Sequence, residues 1–146
     1  NKLFDDGGVL LAHGFDRIRN NRYHVREFET QFAEYLGVNY AQAVSSGTAA
    51  LKIALIALGV KPGDEVITQA FTFIATAEAI IDVGAKPVFV NINETLNMDP
   101  AELESAITDK TSAIIPVHML GVAAEQDEIH IIAKKYNLPV LQASNR

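Results

Sequence analysis

The chain has 146 residues, of which 49% are hydrophobic and 21% charged, values that exclude a disordered protein and suit one domain with a buried core. Its formal net charge of −6, with no cluster of Lys or Arg, excludes a nucleic-acid-binding surface. The absence of cysteine excludes disulfides, thiolate catalysis and Cys-ligated metals, and suits a cytoplasmic location. No signal peptide or membrane-spanning segment is visible, so we expect a soluble protein or a piece of one.

Residues 1–24 are predicted to form an N-terminal arm beside the main domain, residues 25–146. A polar run from Arg17 to Arg22 lies in this arm. We favour an exposed loop for this run over a segment that contacts substrate.

An amphipathic helix is predicted over residues 25–36. Its apolar stripe, at helical spacing, consists of Val25, Phe28, Phe32 and Leu36. Gly37 follows in the position that usually ends a helix. We expect the stripe to pack into the core rather than to bind a cofactor.

The segment Ser45–Ala50 stands where a predicted strand passes into a predicted helix. The first turn of a helix leaves backbone N–H groups without partners and carries the positive end of the helix dipole. Small residues let an anion come close, Gly47 permits a tight turn, and the hydroxyls of Ser46 and Thr48 add donors. These residues alone leave two interpretations open, a phosphate site and an ordinary capped helix start.

Strands and helices alternate through the rest of the chain. Short apolar strands are predicted over residues 40–44, 65–68, 88–92, 112–117 and 139–141, and helices over residues 48–58, 74–83, 100–107 and 125–136. Between Ala49 and Leu58 the only polar residue is Lys52, so we expect this helix to be covered on nearly all sides. Apolar strands separated by helices indicate a mainly parallel sheet covered on both faces, an α/β three-layer sandwich.

Three distinctive segments follow the predicted carboxyl ends of strands, where ligands bind in open parallel sheets. They are Ser45–Ala50, the loop with Phe73, and His118. Phe73 would offer its face to a flat ring beside a bound phosphate, although its spacing favours a core position. His118 is a ligand, a catalytic base or a strand-end histidine with structural hydrogen bonds, and the last is favoured.

Other common sites are missing from the sequence. No Lys follows the glycine at the offset of a P-loop, and there is no G-x-G-x-x-G motif. His13, His24 and His130 show no metal-ligand spacing, so no metal site is predicted.

Six motifs, in unbroken order, resemble one family. They are AVSSGTAAL (43–51), LGVKPGDEVI (58–67), FTFIAT (71–76), GAKPVFV (84–90), residues 107–111 and IIPVH (114–118). Over residues 20–141 the chain resembles the N-terminal portion of the large domain of the DegT/DnrJ/EryC1/StrS sugar aminotransferases, a fold type I family that uses pyridoxal 5′-phosphate (PLP). Residues 15–23 are most similar to the branch that makes 8-amino-3,8-dideoxy-octulosonate.

The resemblance implies transfer of an amino group from glutamate to a keto-sugar, usually nucleotide-linked, for lipopolysaccharide or related synthesis. The cofactor-binding residues would be Ser46, Gly47, Thr48 and Phe73, the first three at the phosphate and the last stacked on the pyridine ring. Arg22 and His118 are the residues we expect at the substrate. A homodimer is implied for the full-length enzyme.

Two departures from the family matter. Gln142 and Ala143 stand where the family has a Glu-Asp pair, whose Asp keeps the pyridine nitrogen protonated. The family places the lysine that forms the Schiff base with PLP some tens of residues beyond the end of this chain, and no lysine here follows the expected strand. We therefore expect a truncated, inactive portion of an aminotransferase with no catalytic residue of its own, and leave open whether residues 142–146 are native. The alternatives are a sugar dehydratase of the same fold and a non-catalytic module that binds a phosphorylated ligand or pairs with a full-length subunit.

Overall fold

The computed structural model of the protein describes residues 14–19 and 21–145. Much of the predicted arm, with His13 and Asn20, lies outside the described residues. The chain forms two compact units, one up to Val44 and one from Ser45. The boundary expected after residue 24 stays a prediction. Among the described residues, no helix has both the length and the apolar character needed to cross a bilayer.

In the first unit, helix α1 spans His24–Leu36, one residue longer than predicted. Gly37 ends it in the left-handed conformation, with φ 67°, as expected. The core role expected for the apolar stripe is wrong. Phe28 and Phe32 stack on each other with ring centroids 5.5 Å apart, and they remain 56% and 43% exposed. The two rings cover each other's faces instead of entering a core.

The strand predicted over residues 40–44 is wrong, because this segment adopts no regular structure. The Glu29 carboxylate of α1 accepts hydrogen bonds from the backbone N–H of Ala43 and from Nε2 of Gln42, both at 2.8 Å. That carboxylate takes an N–H that strand pairing would need. Tyr40, at the start of the segment, is 91% exposed.

The second unit alternates helices and strands. Its helices are α2 (Gly47–Ala57), α3 (Ile74–Asp82), α4 (Pro100–Ala106) and α5 (Gln126–Lys135). Its strands are β1 (Glu65–Gln69), β2 (Lys86–Val90), β3 (Thr111–Ile115), β4 (Val117–Met119) and β5 (Ala143–Asn145). The predicted helices are confirmed to within one residue at each end.

Strands β1, β2 and β3 form a parallel sheet in the order β2–β1–β3, and β4 pairs in parallel with β5. The single strand predicted over residues 112–117 is divided at Pro116, which has no N–H to donate. The strand predicted over residues 139–141 is reduced to a bridge between Val140 and Ile114, and regular pairing follows at β5. The Ala143 N–H donates to the Pro116 carbonyl at 3.0 Å and links these stretches.

Helices cover both faces of the sheet. Val66 of β1 lies in a core with residues of α2 and α3, whereas its neighbour Ile67 lies in a second core with residues of α4 and α5. Both side chains are fully buried. Because successive strand residues point to opposite faces, an apolar strand serves two helix layers. The fold is the predicted α/β three-layer arrangement with a parallel sheet.

Helix α2 is less covered than its sequence led us to expect. Leu55 is fully buried, whereas Ile53 and Ile56 are 51% and 58% exposed. Lys52 joins α2 to α3 through an ion pair with Asp82 at 3.2 Å. The helix packs through one face, and its opposite face is apolar and open, so the expectation of nearly complete cover is wrong.

Candidate functional site

Helix α2 begins with a capped first turn. The Ser46 hydroxyl oxygen accepts the N–H of Ala49 at 3.1 Å, and the Ser46 carbonyl accepts that of Ala50 at 3.0 Å. Within the described part of the chain, no hydrogen bond reaches the N–H groups of Gly47 and Thr48. The segment is thus a capped helix start that still presents two free backbone donors at the positive end of the dipole.

Gly47 is not needed for a turn. Its φ is not positive, unlike those of Gly59 and Gly63, so the backbone freedom that would permit a tight turn here is not used. A Cβ placed on Gly47 would have no heavy atom of the surroundings within 4 Å. The glycine therefore leaves open space beside two free N–H groups, which is the room that an approaching anion needs.

A cleft of about 480 Å³ opens at this helix start. Its lining comes from α2, from Phe73 and the first turn of α3, and from residues 141–144. Gly47, Thr48 and Phe73, which were predicted to meet at one rim, line it together, and Ser46 caps the same turn. No lining residue carries a charge, so the helix start itself is the source of attraction for an anion.

Phe73 directly precedes α3 and is 62% exposed, so the core position favoured by its spacing is wrong. Two local hydrogen bonds hold the segment around Phe73. The Phe73 carbonyl accepts the Thr76 N–H at 3.0 Å, and the hydroxyls of Thr72 and Thr76 are 3.0 Å apart. An exposed aromatic ring in the wall of a cleft offers a flat apolar face on which a ring can stack.

Residues 141–144 also line the cleft. The family resemblance had pointed to the positions of Gln142 and Ala143, whereas Leu141 and Ser144 were not predicted. These residues reach the cleft because β5 pairs with β4, a long-range contact that leaves no local signal. The Nε2 of Gln142 donates to Oε1 of Gln126 at 2.7 Å, and Ala143 has no polar side chain. Neither position therefore supplies a carboxylate to the cleft.

The two residues expected at the substrate are His118 and Arg22. His118 lies within β4 rather than after a strand, and it does not line the cleft. Its Nδ1 accepts the Ala124 N–H at 3.0 Å, which leaves the ring proton on Nε2 in the neutral form and matches the structural interpretation. Arg22 belongs to the first unit, where its N–H donates to the Arg19 carbonyl at 2.9 Å. Both substrate assignments stay predictions.

Several α/β folds have a parallel sheet between helix layers and a cleft at a helix start, and the matching solved structures place this chain in the class of PLP-dependent proteins of fold type I. NtdA of Bacillus subtilis, solved with bound cofactor PMP, matches with a TM-score of 0.80 and 42% identity over 82% of this chain and 28% of that one. A GDP-4-keto-6-deoxymannose-3-dehydratase, solved with a trapped PLP-glutamate geminal diamine, matches with a TM-score of 0.75 and 36% identity over 82% of this chain and 33% of that one.

The chain belongs to the DegT/DnrJ/EryC1/StrS aminotransferase family, which matches residues 14–145. The match is longer than the span of residues 20–141 expected from the motifs. The UDP-2-acetamido-2-deoxy-3-oxo-D-glucuronate aminotransferase of Pseudomonas aeruginosa is 47% identical over an alignment of 135 residues, and the match covers 88% of this chain and 38% of that protein. The chain spans about a third of the length of the curated relatives it matches.

The described residues fit the cofactor of this family at its phosphate and at its ring. The free N–H groups of Gly47 and Thr48, with the open space beside them, suit a dianionic phosphate ester. The exposed Phe73 ring suits the pyridine. The fit does not extend to the pyridine nitrogen, because Gln142 and Ala143 offer it no counter-charge.

Proposed function

We propose that these residues form the phosphate- and ring-binding part of a PLP-dependent sugar aminotransferase. The observation that carries the proposal is the cleft in which two free N–H groups at the start of α2 and the exposed Phe73 ring occur together. An anion without a ring would bind the two N–H groups and make no stacking contact with Phe73. A phosphorylated heteroaromatic ring uses both the N–H groups and the Phe73 ring.

Each residue has a definite task in this proposal. Gly47 and Thr48 donate their N–H groups to the phosphate, and the Thr48 hydroxyl and the capping Ser46 hydroxyl add donors. Phe73 orients the ring and excludes water from one of its faces. When bound, PLP supplies an electron sink for reactions at an amino-bearing carbon.

The amine that anchors PLP is proposed to lie in the part of the whole protein that this chain does not span. Among the residues lining the cleft there is no lysine. Transamination needs such an amine both as covalent anchor and as proton carrier. On this proposal the 146 residues alone are inactive.

The substrates are proposed to be glutamate, as amino donor, and a keto-sugar, either free or linked to a nucleotide. The support is the relative from Pseudomonas aeruginosa, an aminotransferase of a UDP-linked oxo-sugar acid. Arg22 and His118 remain our candidates for contact with the sugar, and the octulosonate branch remains a more specific candidate for it. The full-length protein is proposed to be a homodimer and to be located in the cytoplasm.

A sugar dehydratase is the second candidate, because a dehydratase is among the matching structures at 36% identity. The full-length protein should be incubated with PLP, glutamate and a UDP- or GDP-linked keto-sugar, and the products analysed by mass spectrometry. An aminotransferase yields an amino sugar and one 2-oxoglutarate for each glutamate consumed. A deoxygenated keto-sugar with release of ammonia would support the dehydratase, and the absence of any PLP-dependent product would contradict both.

A further inference from the structure

Gln69, the last residue of β1, is polar and yet fully buried. Its Nε2 donates to the carbonyls of Phe71 at 3.0 Å and of Leu96 at 3.2 Å. Its Oε1 accepts the backbone N–H groups of Met98 at 3.2 Å and of Val117 at 3.0 Å. One side chain thus joins three separate backbone segments beyond the end of the central strand.

The partners fix the orientation of this amide. Phe71 and Leu96 present carbonyls, which only accept, whereas Met98 and Val117 present N–H groups, which only donate. Every hydrogen-bonding group of the amide therefore has a complementary partner. No carboxylate or hydroxyl can supply two donors and an acceptor in this arrangement.

One of the three segments is the loop that ends in Phe73. The loop is tied to the sheet at Ala70, whose N–H donates to the Val90 carbonyl at 2.9 Å. The next tie is the bond from Gln69 to the Phe71 carbonyl. Beyond Phe71 the loop bonds to the first turn of α3, through the Thr72 and Thr76 hydroxyls and through the Phe73 carbonyl. Phe71 and Phe73 themselves are 43% and 62% exposed. The buried amide therefore controls the backbone immediately before the aromatic wall of the cleft.

We propose that Gln69 is a positioning residue for the cofactor ring. Acting through the Phe71 carbonyl, it holds the loop so that the Phe73 ring stays in the cleft wall, where it meets the ring of the ligand. This role rests on the proposed function, because it assumes a ring-bearing phosphate in the cleft. It places no contact between Gln69 and the ligand itself.

The test variant is Gln69→Glu in the full-length protein freed of PLP. Glutamate keeps an oxygen to accept the N–H groups of Met98 and Val117 and lacks the amide donors to Phe71 and Leu96. Gln69→Asn, which keeps the amide on a side chain one methylene shorter, is measured in parallel and replaces Gln69→Glu if that variant does not fold.

Asn97→Asp is the matched control. Asn97 is also fully buried, and its amide also bonds to backbone, donating to the Val122 carbonyl at 3.3 Å and accepting the Met119 N–H at 2.9 Å. The chemical change and the burial are the same, but none of the partners of Asn97 lies in the loop before Phe73 or lines the cleft. A general loss of stability would affect both variants alike.

Two readouts separate positioning from a merely structural role. Calorimetric titration compares PMP, which has the ring, with inorganic phosphate, which does not. We expect Gln69→Glu to bind PMP about tenfold more weakly, the effect of losing one aromatic stacking contact, and to bind inorganic phosphate as the wild type does. Amide hydrogen exchange over residues 70–73 should be faster in Gln69→Glu and unchanged in Asn97→Asp.

The inference is overturned if a folded Gln69→Glu variant binds PMP like the wild type. It is also overturned if PMP and inorganic phosphate weaken by the same factor, or if Asn97→Asp reproduces the effect. A wild-type protein that binds PMP no more tightly than inorganic phosphate would instead contradict the proposed function, and the role of Gln69 would fall with it.

Discussion

The absence of a side chain at Gly47 leaves the start of α2 accessible to a ligand. Side chains on a helix tilt toward its N-terminus, so a larger residue here would lie across the free N–H groups of the first turn. No heavy atom of the surroundings lies within 4 Å of a Cβ placed on Gly47, so the larger residue would not disturb packing. We expect Gly47→Leu to weaken PMP binding by at least about tenfold, the effect of losing a hydrogen bond to a charged group, without lowering the unfolding temperature.

Calorimetric titration with PMP and thermal unfolding of the full-length protein measure these two effects. Ala57→Leu, at the other end of α2, serves as the control, and it should leave PMP binding unchanged. Undiminished PMP affinity in Gly47→Leu would remove the first turn of α2 from the site.

Phe73 is exposed enough that its removal should cost binding rather than stability. We expect Phe73→Ala to bind PMP about tenfold more weakly, with an unfolding free energy close to that of the wild type. Phe89→Ala is the matched control, because Phe89 of β2 is also half-exposed, at 52%, and does not line the cleft. Equal PMP affinity in the two variants would show that the Phe73 ring has no part in the site.

The candidate site residues that the sequence predicted have local signals. Small or hydroxyl-bearing residues at a helix start single out Ser46, Gly47 and Thr48 without reference to any other part of the chain. The exposure of Phe73 could not be predicted from a local pattern, because an aromatic residue in the core and one at the rim of a cleft show the same spacing relative to their apolar neighbours in the sequence. The contacts of Gln69 and the place of Leu141 and Ser144 in the cleft wall depend on backbone groups far away in sequence, and no local pattern encodes them.

At the scale of elements, helices were predicted more accurately than strands. The start of α4 shows why, since the Asp99 carboxylate accepts the Ala101 N–H at 2.9 Å and Pro100 occupies the first helical position, both local signals. A strand depends on a partner strand. The segment at residues 40–44 is apolar enough for a strand, yet the N–H of Ala43 donates to the Glu29 carboxylate instead of to a partner strand. Pro116 likewise divides an apolar run that looks continuous in the sequence.

Helices α4 and α5 are joined by a surface cluster with a predictable response to acid. The Glu104 carboxylate accepts hydrogen bonds from Nζ of Lys135 and, at 2.6 Å, from the Tyr136 hydroxyl. The Lys135 bond, followed by the Tyr136 bond, lowers the pKa of Glu104 from its ordinary value of 4.5. A carboxyl group whose pKa is lowered by folding stabilises the protein above its ordinary pKa, and this contribution is lost as the pH falls through the lowered value.

We therefore expect the unfolding free energy of the wild type to fall more steeply below pH 4.5 than that of Glu104→Gln, which cannot lose this charge. Urea unfolding at a series of pH values measures the difference. Glu94→Gln is the control, because within the described residues no hydrogen bond reaches the Glu94 side chain. Parallel pH profiles for wild type and Glu104→Gln would contradict the assignment.

At the scale of the whole molecule, the layered fold followed from the alternation of apolar strands and helices. What each helix face meets did not follow, because that depends on neighbours the pattern does not specify. The half-exposed Ile53 and Ile56 on α2 add to an apolar helix face of the kind that subunit interfaces cover. We expect the full-length protein to be a homodimer, with twice the chain mass in light scattering after size-exclusion chromatography. A monomeric mass at micromolar concentration would contradict this.

The order β2–β1–β3 also has a consequence for the nascent chain. β1 is complete at Gln69, but its two neighbours begin only at Lys86 and Thr111, so both of its edges emerge from the ribosome before anything can pair with them. A strand with two unpaired edges is prone to pair with other chains and aggregate, and chaperones counter such aggregation. The time taken to translate the chain from Gln69 to Thr111 therefore sets how long the nascent protein needs chaperones to prevent aggregation.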